Sequence, residues 1–294
     1  MKITKIIIAA ALAFFAVSCE DFIDVKPQGV IDDQLANSNP DQMVTAAYSM
    51  LGNCWYNYPF NLWPYGDVAS DDCYKGGSGT TDTGYHDVEV WSTLSSTRGE
   101  LDELWYRMYC AISRCNRAII SLQDYGVEEL GEEVAKIRMG EVKFIRAHFY
   151  FKLLNMFRQI PWITEEAVKN GTHESIRNDE FTYQQLFEKV IADFEDAYEV
   201  LPEVPADGGR THKVAAAAYL AKCYLTLAWG DGYEATNGVN HINADYMQKV
   251  LEYTEVVEKS RFTYMSDFGD LFLPENKNNV ESIFAVQTSD YADD

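Results

Sequence analysis

Positive charge is scarce in this chain. Its 294 residues hold 24 Lys and Arg against 46 Asp and Glu, a formal net charge of −22. Phosphate backbones and anionic membrane faces are held by basic surface, so no nucleic-acid partner and no polybasic membrane contact is expected. Such acidity suits an exported, well-solvated domain. Cysteine is sparse too, at Cys19, Cys54, Cys73, Cys110, Cys115 and Cys223. These spacings fit no zinc framework. Setting Cys19 aside leaves an odd number, which cannot all pair within the chain. Cys110 and Cys115 share one predicted helix and face different directions. A Cys54–Cys73 bridge stays open; most of the others read as small buried hydrophobes. No G-x-S-x-G, Walker or G-x-G-x-x-G pattern occurs in its required context. His173 and His241 have no metal-ligand spacing, and neither metal nor cofactor is expected. Beyond the N-terminus, no apolar run is long enough to span a bilayer.

What the chain does have begins at that N-terminus. Lys2 and Lys5 precede an apolar and small-residue run from Ile6 to Val17. This is too short for a membrane span and has the flanks of a secretory signal. Ala16-Val17-Ser18-Cys19 then reads as a bacterial lipobox, although Leu is more usual at the position of Ala16. On that reading residues 1–18 are a cleaved lipoprotein signal peptide, Cys19 is acylated, and residues 19–37 form a lipid-anchored arm. The alternative is an ordinary signal peptide with an incidental cysteine.

Aromatics are plentiful, with 19 Tyr, 15 Phe and 6 Trp. Most of the rest reads as helix. Asn39 and Pro40 open a helix that stops at Gly52, with Met43, Ala46, Ala47 and Met50 on one face. Glu100 to Gln123 carries a stripe of Leu101, Leu104, Trp105, Met108, Ile112, Cys115 and Ile119. Glu132 to Arg158 follows, with Phe144, Ala147, His148, Phe151 and Leu154 on one face, ended by Pro161. Glu165 to Glu180 reads as a polar connection. Thr182 and Gln185 make a capping box for a helix to about Leu201. Thr211 is expected to cap a helix from His212 to Trp229, and Asn243 one to about Ser260. Ser282 to Gln287 reads as a strand. Helix pairs that cannot bury their own apolar faces must stack, so a mainly α, tetratricopeptide-like repeat scaffold is expected over residues 38–294.

Asn53 to Gly99 differs: it is a long loop region dense in rings, and loops of that length are usually functional or disordered. Trp63, Tyr74, Tyr85, His86 and Trp91 are the candidate ligand contacts, with Asp72 beside them. A sugar's apolar face stacks on an aromatic ring while its hydroxyls need polar partners. Each ring is about as well explained by packing against the helices. Asp71-Asp72 makes a poor catalytic pair, because adjacent carboxylates diverge; turn-forming aspartates are the better reading. His148, between Phe144 and Phe151, reads as a satisfied core histidine. Glu141 and Arg146 read as structural.

Six stretches, in order, resemble the SusD/RagB family. They are Cys19-Glu20-Asp21-Phe22-Ile23-Asp24 through Pro27; Gly66-Asp67 through Ser70-Asp71-Asp72; Trp105, Tyr109, Ile112, Arg114 and Asn116; Glu141, Phe144, Arg146, Ala147 and Tyr150 through Pro161; Gly209-Arg210-Thr211 with Ala215-Ala216; and Leu271-Phe272 through Glu281-Ser282-Ile283-Phe284. The resemblance implies a non-catalytic, cell-surface outer-membrane lipoprotein. Such a protein captures a glycan or oligosaccharide and delivers it to a SusC-like TonB-dependent transporter. It also implies that Trp91 matches, by position, a glycan-contacting tryptophan. Family members continue well past E-S-I-F, so this sequence is expected to correspond to the family's N-terminal portion. Three alternatives stay open: a tetratricopeptide-type interaction lipoprotein with inward-packed Trp63, Tyr74 and Trp91; a peptide-capturing RagB-like member; and a surface glycosidase.

Overall fold

The computed structural model describes residues 38–52, 64–70, 72–77, 83–92, 99–230 and 242–287. The signal peptide, the arm, Cys19, Cys54, Trp63 and Asp71 lie outside the described residues. All described residues belong to one unit, Asn37–Asp294.

Local signals set the helix starts. Helix α1, Pro40–Tyr48, is capped by Asn39, whose side chain accepts from Gln42 N at 3.2 Å. Its inward residues are Val44 and Ala47, with Met43 and Ala46 only half-buried, so the buried face is rotated from the expected one. A short helix α2, Thr83–Glu89, precedes the two longest, α3 (Gly99–Leu130) and α4 (Glu132–Phe157). α3 continues past Gln123 through Gly126. A Cβ there would lie 3.3 Å from that of Ala135, so glycine keeps α3 and α4 close where they meet. Gly131, at φ 80°, makes the turn between them in a conformation that favours glycine.

Residues 165–180 are not simply a polar connection. Thr164 caps a short helix α5, Glu165–Lys169, by accepting from Ala167 N. The Thr182–Gln185 capping box opens α6, Tyr183–Val200, as expected. α7 is Lys213–Gly230, and Asn243 caps α8, Ala244–Glu258. Thr211 does not cap α7. His212 does, with Nδ1 accepting from Ala215 N at 3.4 Å, while the Thr211 amide donates to the Tyr48 hydroxyl at 3.0 Å. Ser282–Gln287 is not a strand, because no neighbouring segment among the described residues supplies a ladder. It is held instead by His212 Nε2, 2.6 Å from the Ile283 carbonyl, and by Phe284 packed edge-on to Phe144.

The fold is mainly α, and the described residues contain no strand. α1 packs on α3, α3 on α4, α4 on α6, α6 on α7 and α7 on α8. This is a stack of helix pairs in the tetratricopeptide manner. α4 is its centre: Val142, Phe144, Ile145, Ala147, Phe149 and Tyr150 are all fully buried, so it is apolar on several sides rather than one. Phe144 meets Phe194 of α6 and Tyr219 of α7 edge-on, which joins three helices through one ring. Each such buried aromatic contributes roughly 1.5–3 kcal/mol of burial free energy.

Charge is buried at two points. Arg146 donates to both oxygens of Asp193, at 2.7 and 2.8 Å, to Asn116 at 2.9 Å, and to Glu165. Burial opposes the Glu165 carboxylate, but the Arg146 charge outweighs it and holds that group below its usual range. Glu141 accepts from Arg138 at 3.1 Å and Arg210 at 2.8 Å, and Arg138 also pairs with Asp41 at 2.6 Å. These two networks tie α1, α3, α4, α6 and the loop before α7 together. Glu141 and Arg146 are therefore structural, as their sequence context suggested.

Candidate functional site

Five of the six candidate ligand contacts are described, and all five sit on a small shelf outside the helix stack. Two buried valines hold it together: Val68, in a π-helical turn at Pro64–Val68, and Val88 in α2. Backbone bonds then fold the following residues into turns, Ser70 N to Gly66 O at 3.0 Å and Cys73 N to Asp67 O at 3.2 Å. Gly76 and Gly77, at φ 76° and 67°, supply a left-handed reversal open to glycine. The amide of Lys75 reaches Glu89 Oε2 at 3.4 Å, so the loop is tied to the end of α2.

Trp91 closes the shelf. Its indole Nε1 donates to the Ala69 carbonyl at 3.1 Å, and its backbone stands at φ 50°, an uncommon conformation for a bulky residue. The neighbouring bonds hold it there. Trp91 N donates to Val88 O, and Ser92 bonds Asp87 through both its amide and its hydroxyl. The ring is nonetheless 73% exposed, and Tyr74 is 85% exposed. Neither packs inward. Tyr85 and His86, on α2, are half-buried. Asp72 is exposed and accepts from the Ser70 hydroxyl at 3.3 Å, a bond between side chains within the turn.

The shelf is acidic. Burial and then the carboxylates of Asp67, Asp72 and Glu89 raise the Cys73 thiol above its usual range, which makes it a poor nucleophile. Cys73 is a free thiol; its candidate partner Cys54 lies outside the described residues. Among the described residues no cluster of His, Cys, Asp and Glu could hold a metal ion. The arrangement offers flat apolar rings beside carboxylate and hydroxyl acceptors, the chemistry that receives a polyhydroxylated ring. Sequence reasoning did not anticipate the groups that orient Trp91. The Ala69 carbonyl acts across 22 residues, and no local pattern marks it; Asp87 acts locally, through Ser92.

A family model described as "Starch-binding associating with outer membrane" matches residues 21–225, which include the shelf and helices α1 to α6. The chain belongs to the SusD-like family. A SusD-like protein of Formosa agariphila is 26% identical over 310 residues, covering 100% of this chain and 53% of that protein. A solved laminarin-binding SusD-like protein superposes with a TM-score of 0.66 at 23% identity, over 83% of this chain and 50% of the other. Surface glycan-binding protein A from Bacteroides thetaiotaomicron, solved with laminarihexaose, gives 0.65 at 20% identity, over 83% and 48%. The chain thus spans about half the length of the relatives it matches. The two structures establish the SusD-like fold for this chain.

SusD-like membership also locates the expected motifs. Asn116 and Arg146, from two of the six stretches, meet in the buried Arg146 network. Arg210, from the fifth stretch, pairs with Glu141, which shares the fourth stretch with Arg146. The family resemblance visible in the sequence is thus largely a record of buried polar contacts. His148 is a core histidine, with Nδ1 2.6 Å from the Tyr219 hydroxyl.

Proposed function

We propose that this SusD-like chain captures a glycan or oligosaccharide without hydrolysing it, using the shelf that carries Trp91 and Tyr74. The observation that carries the reading is a tryptophan fixed by its indole N–H yet left almost three-quarters exposed, with a still more exposed tyrosine on the same shelf. Burying such a ring inward would be the lower-energy choice for a purely structural residue. The family description as starch-binding supports the ligand class, as do the glycan-bound relatives of the same fold. The half-buried Tyr85 and His86, with Asp72, flank the rings and meet ligand hydroxyls. Trp63 belongs to the same contact set by its place in the sequence.

On this reading Cys19 is acylated and anchors the protein at the outer-membrane surface. A SusC-like TonB-dependent transporter receives the cargo. The exposed rings weigh against an interaction scaffold whose aromatics all pack inward.

Native gel electrophoresis through a panel of polysaccharides tests the binding reading. Retardation by at least one glycan, with no new reducing ends formed, is the expected result. Release of reducing ends would favour a glycosidase. Absence of retardation by any glycan, in the full gene product as well, would end the capture reading.

A further inference from the structure

The pocket between the loop before α7 and the segment after α8 belongs to none of the elements of the shelf. Its volume is about 130 Å³, several times that of one water, and it is lined by Pro205, Gly208 and His212 on one side and by residues from Arg261 to Ala285 on the other. Its walls are braced. His212 is fixed through both ring nitrogens, Nε2–H to the Ile283 carbonyl and Nδ1 from Ala215 N, which leaves the ring neutral. Burial lowers its pKa; the bond to the Ile283 carbonyl opposes this and the Arg261 charge adds to it, and the net shift is downward. The His212 ring stacks on Phe262 at 5.5 Å and 16°. Thr263 N bonds Val280 O at 3.0 Å. The side-chain amides of Asn278 and Gln287 exchange two bonds of 2.9 Å, which closes the far loop.

Against these satisfied walls, three lining groups keep unspent donors. Arg261 lies over the Phe262 ring at 4.9 Å but makes no ion pair or hydrogen bond among the described residues. Asn279 uses its carbonyl oxygen on Glu281 N and leaves its amide N–H groups unused. The Ser282 hydroxyl has no partner among the described residues. No carboxylate lines the pocket. The nearest acidic side chains in sequence are engaged elsewhere, Glu281 with Met265 N and Asp207 with Gly209 N. In a chain of net charge −22 this is an unusual place: a guanidinium, an amide and a hydroxyl, all able to donate, beside apolar ring surface. A guanidinium matches a carboxylate through two parallel bonds, and a pre-braced wall lowers the ordering cost of binding.

We propose that this pocket is a second ligand site, taking the carboxylate-bearing ring of an acidic saccharide unit such as a hexuronate. Arg261 and Asn279 hold the carboxylate, Ser282 a ring hydroxyl, and Val280 covers the apolar face, while Phe262, sandwiched between His212 and Arg261, backs the guanidinium. The site is independent of Trp91, and its existence does not rest on glycan capture at the shelf.

The test is titration of the mature full chain with glucuronate, glucose and acetate, followed by calorimetry or by chemical shifts of the tryptophan-independent amides near Ser282. Saturable binding of glucuronate, with glucose and acetate at least tenfold weaker, is expected. Arg261→Gln should weaken it at least tenfold and Ser282→Ala severalfold, while Trp91→Ala leaves it unchanged. Arg261 is exposed and makes no ion pair among the described residues, so its replacement does not threaten folding; the Ser282 variant gives a second, independent reading. Equal binding of glucose, acetate binding as tightly as glucuronate, unaltered affinity in Arg261→Gln, or no saturable binding would each overturn the proposal.

Discussion

The indole Nε1–H of Trp91 donates to the carbonyl of Ala69 at 3.1 Å, across 22 residues of sequence. That bond separates two roles that a buried tryptophan would merge: it fixes the edge of the ring while the face stays open to solvent. Trp91→Phe keeps a ring but removes the bond. Stability should fall by about 0.5–1.5 kcal/mol, the net worth of one hydrogen bond. Affinity for the captured glycan should fall by about 1 kcal/mol, roughly fivefold, because the remaining ring is no longer held in place. Urea denaturation and a binding isotherm on the same preparation check both.

The Arg146–Asp193 pair carries the largest single-residue prediction. Both partners are buried, and their fork of bonds at 2.7 and 2.8 Å joins α4 to α6. Asp193→Ala leaves the guanidinium buried and half-paired, and should destabilise the fold by about 3–5 kcal/mol. Replacing both residues with apolar ones of similar volume should recover much of that. Denaturant midpoints of the single and double variants decide; a single variant within error of wild type would contradict the account.

Gly140 sits where α4 meets the end of α6. A Cβ there would fall 2.3 Å from Val200 Cγ2. On an exposed helix, Gly→Ala stabilises by about 0.8–1.0 kcal/mol. Here overpacking at about 1–3 kcal/mol should reverse the sign, so Gly140→Ala lowers the melting temperature. Val200→Ala in the same chain should remove the clash and restore the helix-propensity gain, a coupling that a double-mutant cycle measures.

Two histidines give a pH signature. Burial, with Lys152 and Lys222 nearby, lowers the His148 pKa well below its usual value, and burial with Arg261 lowers that of His212. As pH falls below about 6.5 the unfolded chain takes up these protons before the folded one does. The stability conferred by the neutral rings is therefore full above that pH and declines through it toward the lower folded values. The window lies above the titration range of ordinary carboxylates. Urea midpoints should drop from pH 8 to pH 5.5, and the drop should shrink in His148→Gln. A flat profile would contradict this assignment.

Signals carried by neighbouring residues were legible in the sequence. The Asn39 and Asn243 caps, the Thr182–Gln185 box and the stripe of α3 each arise within a turn or two of chain. What depended on distant partners was not. Ser282–Gln287 has a strand's composition but, among the described residues, no neighbour to pair with, and Thr211 lost its cap role because the Tyr48 hydroxyl claims it. α3 runs through Gly126 because Ala135 packs there, a contact that the local sequence cannot announce. At the shelf, the exposed rings were named from composition and position alone. Their exposure, and the Ala69 carbonyl that aims Trp91, needed the fold.

The face of Trp91 is proposed as the glycan platform. Its most direct measurement is the affinity of wild type and Trp91→Ala, in the protein as the gene encodes it, for a glycan that retards the wild type in a gel. Matched denaturation curves would confirm that both are folded. A loss of about tenfold or more is expected in the variant. Equal affinity in two equally folded proteins would contradict it and move the binding surface away from the shelf.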